Sequence, residues 1–319
     1  MALPPILQNL RIPVVGSPLF IISNPALVIA QCKAGIVGSF PALNARPQEQ
    51  LDEWLAMIKE ELDRHNQANP DNPAAPYAVN QIVHRSNDRL EQDLETCVKH
   101  EVPIVICSLG ARVEVYDAVR SYGGITLHDI INNRFAHKAI EKGADGLIAV
   151  ATGAGGHAGT LSPFALIQQI REWFDGPLLL SGAIATGGAV LAAEAMGADL
   201  AYIGSPFIAT DEARADERYK QAIVEGTADD IVYTNYFTGV HGNYLKQSII
   251  NSGMDPENIP ESDPSAMQFG TDRSGRPKTW KEIWGSGQGI GAVKSVEPAE
   301  TLINRLAADY FATRERLGL

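Results

Sequence analysis

From residue 13 to about residue 208, short runs rich in Val, Ile and Leu recur, and each is followed by a longer amphipathic segment. Runs of that length suit strands and the segments between them suit helices, so the pattern is the βα alternation of a parallel sheet. The spacing predicts strands at 13–19, 35–40, 76–83, 103–108, 124–127, 145–150, 177–181 and 199–204. Helices fall near 24–34, 48–66, 87–100, 112–121, 130–143, 162–174 and 187–197, with Ser23-Asn24-Pro25 a clear start signal for the first. The runs lack strict polar alternation, as expected where helices cover one side of a sheet and packed side chains fill the other. Eight units of this kind predict an α/β fold, the closed (β/α)8 TIM barrel.

Residues 211–283 break the rhythm. They are more polar, with Arg214, Asp216, Glu217, Arg218 and Lys220 near one end and Pro256, Pro260, Pro264 and Pro277 near the other. A helical and looped insertion after the eighth strand is expected here, covering the barrel mouth as a lid. The chain then runs through Trp284-Gly285-Ser286-Gly287-Gln288-Gly289-Ile290-Gly291 into an amphipathic helix around 297–316, whose Leu302, Ile303, Leu306 and Ala307 share a face. Three segments result: a barrel over 1–210, an inserted lid over 211–283, and a closing loop and helix over 284–319. The 319 residues are enough for one such large barrel.

The first candidate for chemistry is the stretch Gly153-Ala154-Gly155-Gly156-His157-Ala158-Gly159, which directly follows the sixth apolar run. Its glycines let the backbone lie close against a flat ligand, and His157 brings the side chain that titrates near neutral pH. A flexible turn carrying a solvated histidine is the plain alternative for such a stretch alone. Two further loops add weight. After the seventh run comes Ser181-Gly182-Ala183, ahead of a helix beginning near Gly187, and after the eighth comes Gly204-Ser205. In βα barrels these are the places where backbone N–H groups and a helix N-terminus receive a phosphate. A phosphorylated planar cofactor lying across the mouth meets these demands, and FMN fits them.

The ordered set Pro13-Val14-Val15-Gly16-Ser17-Pro18-Leu19, Gly155-Gly156-His157-Ala158-Gly159, Ser181-Gly182-Ala183, Gly204-Ser205 and Gly285-Ser286-Gly287-Gln288-Gly289 resembles the nitronate monooxygenase (2-nitropropane dioxygenase-like) family of FMN-dependent TIM-barrel oxidoreductases. The resemblance spans nearly the whole chain. It implies that Gly16, Ser17, Pro18, Leu19 and Asn80 hold the isoalloxazine and ribityl parts, with His128, Gly155 and Gly156 also at the cofactor. It further implies that Ser181, Gly182, Ala183, Gly204 and Ser205 take the phosphate, and that Gly287 and Gln288 close over the flavin. Departures are present: Gly16-Ser17 stands where the family often has Gln before a small residue, and Gly182-Ala183 where it often has two glycines. At His128-Asp129 some relatives carry a lysine that favours a reduced, anionic flavin.

The implied activity is oxidation of alkyl nitronates or nitroalkanes with O2 to carbonyl compounds and nitrite, with His157 as catalytic base or nitro-group donor working near neutral pH. The segment 233–246 resembles the family's substrate-side loop: Tyr236 and Phe237 would wall an apolar pocket, while His241 and Lys246 attract an anion. An amphipathic helix with solvated polar groups is the competing reading of that segment. The nearest rival function is an NAD(P)H-dependent FMN reductase acting on quinones or enoyl thioesters. A non-catalytic flavin or phosphate binder is a third reading. A dehydrogenase resembling the IMP enzymes would need a cysteine nucleophile in a barrel loop, and only Cys107 lies near a strand end.

Charge and cysteine usage bound the partners. Lys and Arg number 26 against 38 Asp and Glu, a net charge of −12 that disfavours general nucleic-acid or anionic-membrane binding. The start of the chain lacks a basic segment with an apolar core, and no apolar run reaches spanning length, so a cytoplasmic small-molecule enzyme is expected. Cys32, Cys97 and Cys107 lack close spacing and read as buried thiols, and no metal-ligand spacing is present.

Overall fold

A computed structural model describes residues 3–262 and 281–319. Pro264 and Pro277 lie outside the described residues. In chain order the strands are β1 (Val14–Gly16), β2 (Gly38–Pro41), β3 (Tyr77–Ile82), β4 (Ile104–Ser108), β5 (Ile125–Ile130), β6 (Gly146–Val150), β7 (Gly156–His157), β8 (Leu178–Ser181), β9 (Leu200–Ile203), β10 (Ile231–Thr234) and β11 (Gly242–Leu245). Eight of them form one parallel sheet in the order β1-β9-β8-β6-β5-β4-β3-β2. A parallel bridge between Val15 and Val37 brings its edges together, with Gly16 N–H donating to the Val37 carbonyl at 2.8 Å. Each of the eight apolar runs is therefore a strand of one TIM barrel, and a helix follows each of the first seven.

Alternation along the strands decides what faces inward. Val15, Ala78, Ile104, Ile106, Leu127, Ile148, Leu179, Leu200 and Tyr202 belong to the inner cluster, whereas Val14, Val79, Val105, Cys107, Leu147, Leu178, Leu180 and Ala201 pack outward against the helices. Leu7, from the short turn Pro5–Leu7, joins the inner cluster with Leu3, Ile6 and Leu10 packed beside it. Apolar side chains thus fill the barrel from its N-terminal end. Two residues on from the inner apolar layers, the inward positions turn polar: Asn80, Ser108, Asp129 and Ser181. That change of character marks the top of the barrel.

The helix Ala299–Leu317 buries Leu302, Ile303, Leu306 and Ala307, as its spacing predicts, and lies against the helix Gly187–Met196. Contact is close enough that a Cβ at Gly187 would stand 2.1 Å from Tyr310 N and 2.2 Å from the Leu306 carbonyl oxygen. The inserted region departs from expectation. Besides the helix Glu217–Glu225, it contains the antiparallel pair β10 and β11, and β11 pairs in turn with β7, placing Gly242 opposite His157 and Asn243 opposite Gly156. The helical reading of 233–246 is overturned: Val232, Tyr233 and Tyr244 are good strand formers, and Gly239, at φ 82°, serves the turn between them.

Candidate active site

A cavity of about 1520 Å³ opens at the C-terminal ends of the barrel strands. Its wall includes Ser17, Pro18 and Leu19 after β1, Asn80 on β3, Gly153 to His157 after β6, Ser181 to Ala183 after β8, and Gly204 and Ser205 after β9. The glycine turn, both suspected phosphate loops and Gly287 border this one space.

His157 is half-buried in the cavity wall and its Nε2 lies 3.0 Å from Thr238 Oγ1. Thr238 donates its own hydroxyl proton to the Val240 carbonyl at 2.9 Å. It therefore accepts from Nε2–H, which leaves Nδ1 as the basic nitrogen. The insertion sets this tautomer, because Thr238 and Val240 sit in the β10–β11 turn and β11 pairs with His157 itself. Burial pushes the imidazole down to about 4, so it is neutral throughout the physiological range. The sequence had suggested a base near neutrality. In the structure the imidazole is instead held neutral by burial, with its proton affinity lowered.

The loops after β8 and β9 present unused amides. Among the described residues, the N–H groups of Gly182, Ala183, Gly204 and Ser205 have no protein acceptor. Gly182 and Ala183 both hold positive φ, 143° and 55°, which turns successive N–H groups out of the strand direction. Ser205 Oγ accepts from Gly287 N at 2.8 Å, and Gln288 N donates to the Gly153 carbonyl at 2.9 Å, tying the segment 284–289 to both the loop after β9 and the glycine turn. A Cβ at Gly287 would lie 2.6 Å from the Gly153 carbonyl oxygen and 2.9 Å from Gly155 N, so only glycine permits this approach. These donors fit a phosphate monoester, and the space between them and His157 fits a flat ring.

Beneath that space runs a polar chain. Asn80 Nδ2 donates to the Ile106 carbonyl at 3.1 Å and to Ser108 Oγ at 2.8 Å, and Ser108 Oγ donates to Asp129 Oδ2. Both amide hydrogens of Asn80 are engaged, so only its carbonyl oxygen can meet a ligand. Tyr202 also faces the cavity, and its hydroxyl is hydrogen-bonded to Ser17. Burial pushes the Asp129 carboxyl up to about 6, against the lowering effect of hydrogen bonds from Ser108 and the Leu109 amide. An aspartate raised from about 3.8 to about 6 holds its proton in the fold where the unfolded chain has lost it. Its contribution to stability is therefore present below pH 4 and lost as pH rises to 6. Asp129→Asn is expected to unfold at higher urea than the parent at pH 8, by as much as about 3 kcal/mol, and to match it near pH 4. An equal gain at both values would show that ionisation is not the cause.

Not every expected residue reaches the cavity. Gly16 faces outward, where a Cβ would stand 2.4 Å from Gln31 Nε2; its parity on β1 assigns it to the helix layer. His128 has the same parity. Its Nδ1 lies 2.9 Å from Tyr116 Oη in the outer layer and burial pushes it down to about 4, so although it borders the cavity its ring is engaged elsewhere, and Asp129 is the inward group of β5. Gln288 is exposed and reaches the site only through its backbone. On the substrate side, Phe237 lines the cavity together with Thr238 and Val240, which sequence reasoning had passed over. Tyr236 packs edge-on against Phe237 behind it, His241 stacks on Tyr233 at the surface, and Lys246 is paired with Glu257 at 3.0 Å. Ser108, Asp129, Tyr202 and Thr238 were not among the expected site residues. For the first three, the signal was available as the i+2 continuation of an inward apolar strand position. The cysteines are buried, with the Cys32 and Cys97 thiols pushed up to about 12 and Cys107 raised as well, which removes the cysteine-nucleophile reading.

Among the described residues no helix is long and apolar enough to cross a membrane. Compared with known proteins, residues 6–309 match the profile of the nitronate monooxygenase family. A nitronate monooxygenase of Paraburkholderia phytofirmans is 24% identical, the alignment covering 96% of this chain and 94% of the relative. Among solved structures, the nitroalkane oxidase of Streptomyces ansochromogenes superposes with a TM-score of 0.79 at 22% identity, covering 98% of this chain and 99% of that one. FabK of Thermotoga maritima superposes with a TM-score of 0.77 at 19% identity, covering 98% and 96%. At these identities the two structures speak to the shared fold.

Proposed function

The chain belongs to the nitronate monooxygenase family of oxidoreductases, and we propose that it is an FMN-dependent enzyme that oxidises alkyl nitronates, or the nitroalkanes that give rise to them, with O2 to carbonyl compounds and nitrite. One observation carries the reading: a neutral histidine with its tautomer set by Thr238 faces the same cavity as two loops of unaccepted amides. When bound, FMN would supply the electron-accepting ring and the site of reaction with O2.

The chain's own residues do the rest. Gly182, Ala183, Gly204 and Ser205 would receive the phosphate through N–H groups already oriented for it, with little reorganisation on binding. Ser17, Pro18, Leu19 and the Asn80 carbonyl would border the ring, and Gly153 to Gly156 would let backbone approach its face. His157 Nδ1 would take the proton from the carbon next to a nitro group. Its low proton affinity in the free site rises as the nitronate charge forms beside it, which matches base strength to the step. Phe237 and Val240 would exclude water on the substrate side.

The test is anaerobic mixing of the flavin-loaded protein with propionate 3-nitronate, NADH and NADPH in turn. Bleaching of the yellow colour by nitronate and not by either nicotinamide supports the monooxygenase. Bleaching by NADH or NADPH alone would replace it with the reductase.

A further inference from the structure

Asp129 stands at the floor of the cavity in surroundings that suit an acid better than an anion. It is the inward residue of β5, two positions beyond Leu127 of the inner apolar cluster and opposite Ile148 of β6 in register. Its carboxyl accepts from the Ser108 hydroxyl and the Leu109 amide while bordering the cavity. No basic side chain among the described residues acts on it. Cys107 on β4, Tyr116 on the helix Val113–Arg120 and Tyr202 on β9 feel its charge, and burial raises all three, so each stays neutral. His128 beside it and His157 on β7 are lowered to about 4 and are neutral above that value. Lys138 borders the cavity from the helix Asn133–Glu141 and makes no ion pair with Asp129.

A flat ring seated over this floor would take from Asp129 the solvent it still meets. Desolvation disfavours the carboxylate, and with no cation beside it the carboxyl answers by taking up a proton. Its starting point near 6 means that modest further desolvation keeps that proton past neutrality. The acid is also the better partner for a flavin ring, whose edge offers carbonyl oxygens and ring nitrogens as acceptors. A carboxylate has no hydrogen to give them, whereas a carboxylic acid donates one. Its neighbours on the floor cannot serve instead. Asn80 has both amide hydrogens engaged, on the Ile106 carbonyl and on Ser108 Oγ, and Ser108 gives its single hydrogen to Asp129 Oδ2.

We propose that Asp129 binds the ring of the cofactor as a carboxylic acid, so that cofactor binding draws one proton from solution onto this side chain. The inference rests on the assignment of FMN to the cavity. The proton comes from solvent, stays on the Asp129 carboxyl as a hydrogen bond to a ring acceptor, and returns to solvent when the ring leaves; no covalent bond of FMN changes. The sign follows from linkage. A group whose proton affinity is higher in the complex than in the free protein favours binding at low pH, and that help is lost as pH rises above the free carboxyl's range, by about tenfold in affinity per pH unit.

The test titrates flavin-stripped full-length protein with FMN, reading affinity by fluorescence quenching across the neutral range and proton uptake by calorimetry in two buffers of unlike ionisation enthalpy. From about pH 7 to about pH 8 the parent is expected to lose about tenfold in FMN affinity, with close to one proton taken up per FMN bound. Asp129→Asn carries donor hydrogens at every pH, so its affinity should stay level over that interval, without the uptake, and exceed the parent's at the upper end. Comparing the two cancels the ionisation of the FMN phosphate itself. Ser108→Ala removes a hydrogen bond that holds the carboxyl down, so its loss of affinity should begin at a higher pH than the parent's. A parent affinity that does not change with pH overturns the proposal, as does a pH dependence or proton uptake that Asp129→Asn shares in full. Failure of FMN to bind parent and variants alike at every pH would remove FMN from the cavity and the proposal with it, an outcome distinct from binding without proton uptake.

Discussion

His157→Asn is expected to lower turnover of neutral nitroalkanes by about 10²–10⁴-fold, the usual cost of removing a general base, while the protein stays yellow. The prediction rests on position. His157 reaches the cavity from β7, and its Nε2–H is held by Thr238 rather than by the cofactor-facing loops, so asparagine removes the base and leaves the amides that would hold the phosphate. Preformed nitronate has already lost its carbon proton, so its oxidation should fall far less. The ratio of the two activities, measured at equal flavin content, separates a lost base from a distorted site. Equal losses on both substrates would remove the base assignment. The pH profile gives an independent reading. Since burial lowers the imidazole to about 4, the base form persists down to that value, and kcat/KM on nitroalkane should not decline near pH 6.5 on account of His157. A decline near pH 6 that disappears in Asp129→Asn would belong to the carboxyl at the cavity floor.

The second large effect is expected at the phosphate loops. Ala183 is exposed to the cavity and holds φ 55°, a conformation that aspartate and asparagine tolerate better than most residues. Ala183→Asp therefore preserves the backbone while placing a carboxylate among the amides. At about 5 Å and an effective dielectric near 20, two unit charges repel by about 3 kcal/mol, which is about two orders of magnitude in affinity. FMN binding, followed by flavin fluorescence quenching on titration into stripped protein, should weaken by at least that factor. Ala183→Asn, of the same shape without the charge, should bind close to the parent. If the aspartate variant keeps the parent's FMN affinity, the anion does not sit at the loops after β8 and β9.

Much of this molecule is legible in its sequence. Every apolar run proposed as a strand is one, and the helix Ala299–Leu317 buries the face its spacing marked. Both follow from local chemistry, since side-chain periodicity and capping act over a few residues. The glycine turn and the two small-residue loops could be found for the same reason: a cavity wall built of backbone leaves a compositional trace. The rest has a different origin. His128 borders the cavity but turns its ring to Tyr116 in the outer layer, while Asp129 is the inward group of β5, as Leu127, two positions before it and inward, already indicates. The helical alternative for 233–246 failed because its strands are stabilised by each other and by β7, about 85 positions away in the chain.

By itself, then, the amino-acid order determined the alternation of strands and helices, the ring they close into, and the stretches where backbone lines the cavity. Those features are encoded in nearest-neighbour preferences and in which side of each element is apolar. Only the tertiary structure decided that Thr238 orients His157, that Asp129 is raised by burial, and that Lys246 is tied to Glu257. Tautomer, proton affinity and ion pairing depend on distances of a few ångströms between residues far apart in the chain, and those distances exist only once the barrel has folded.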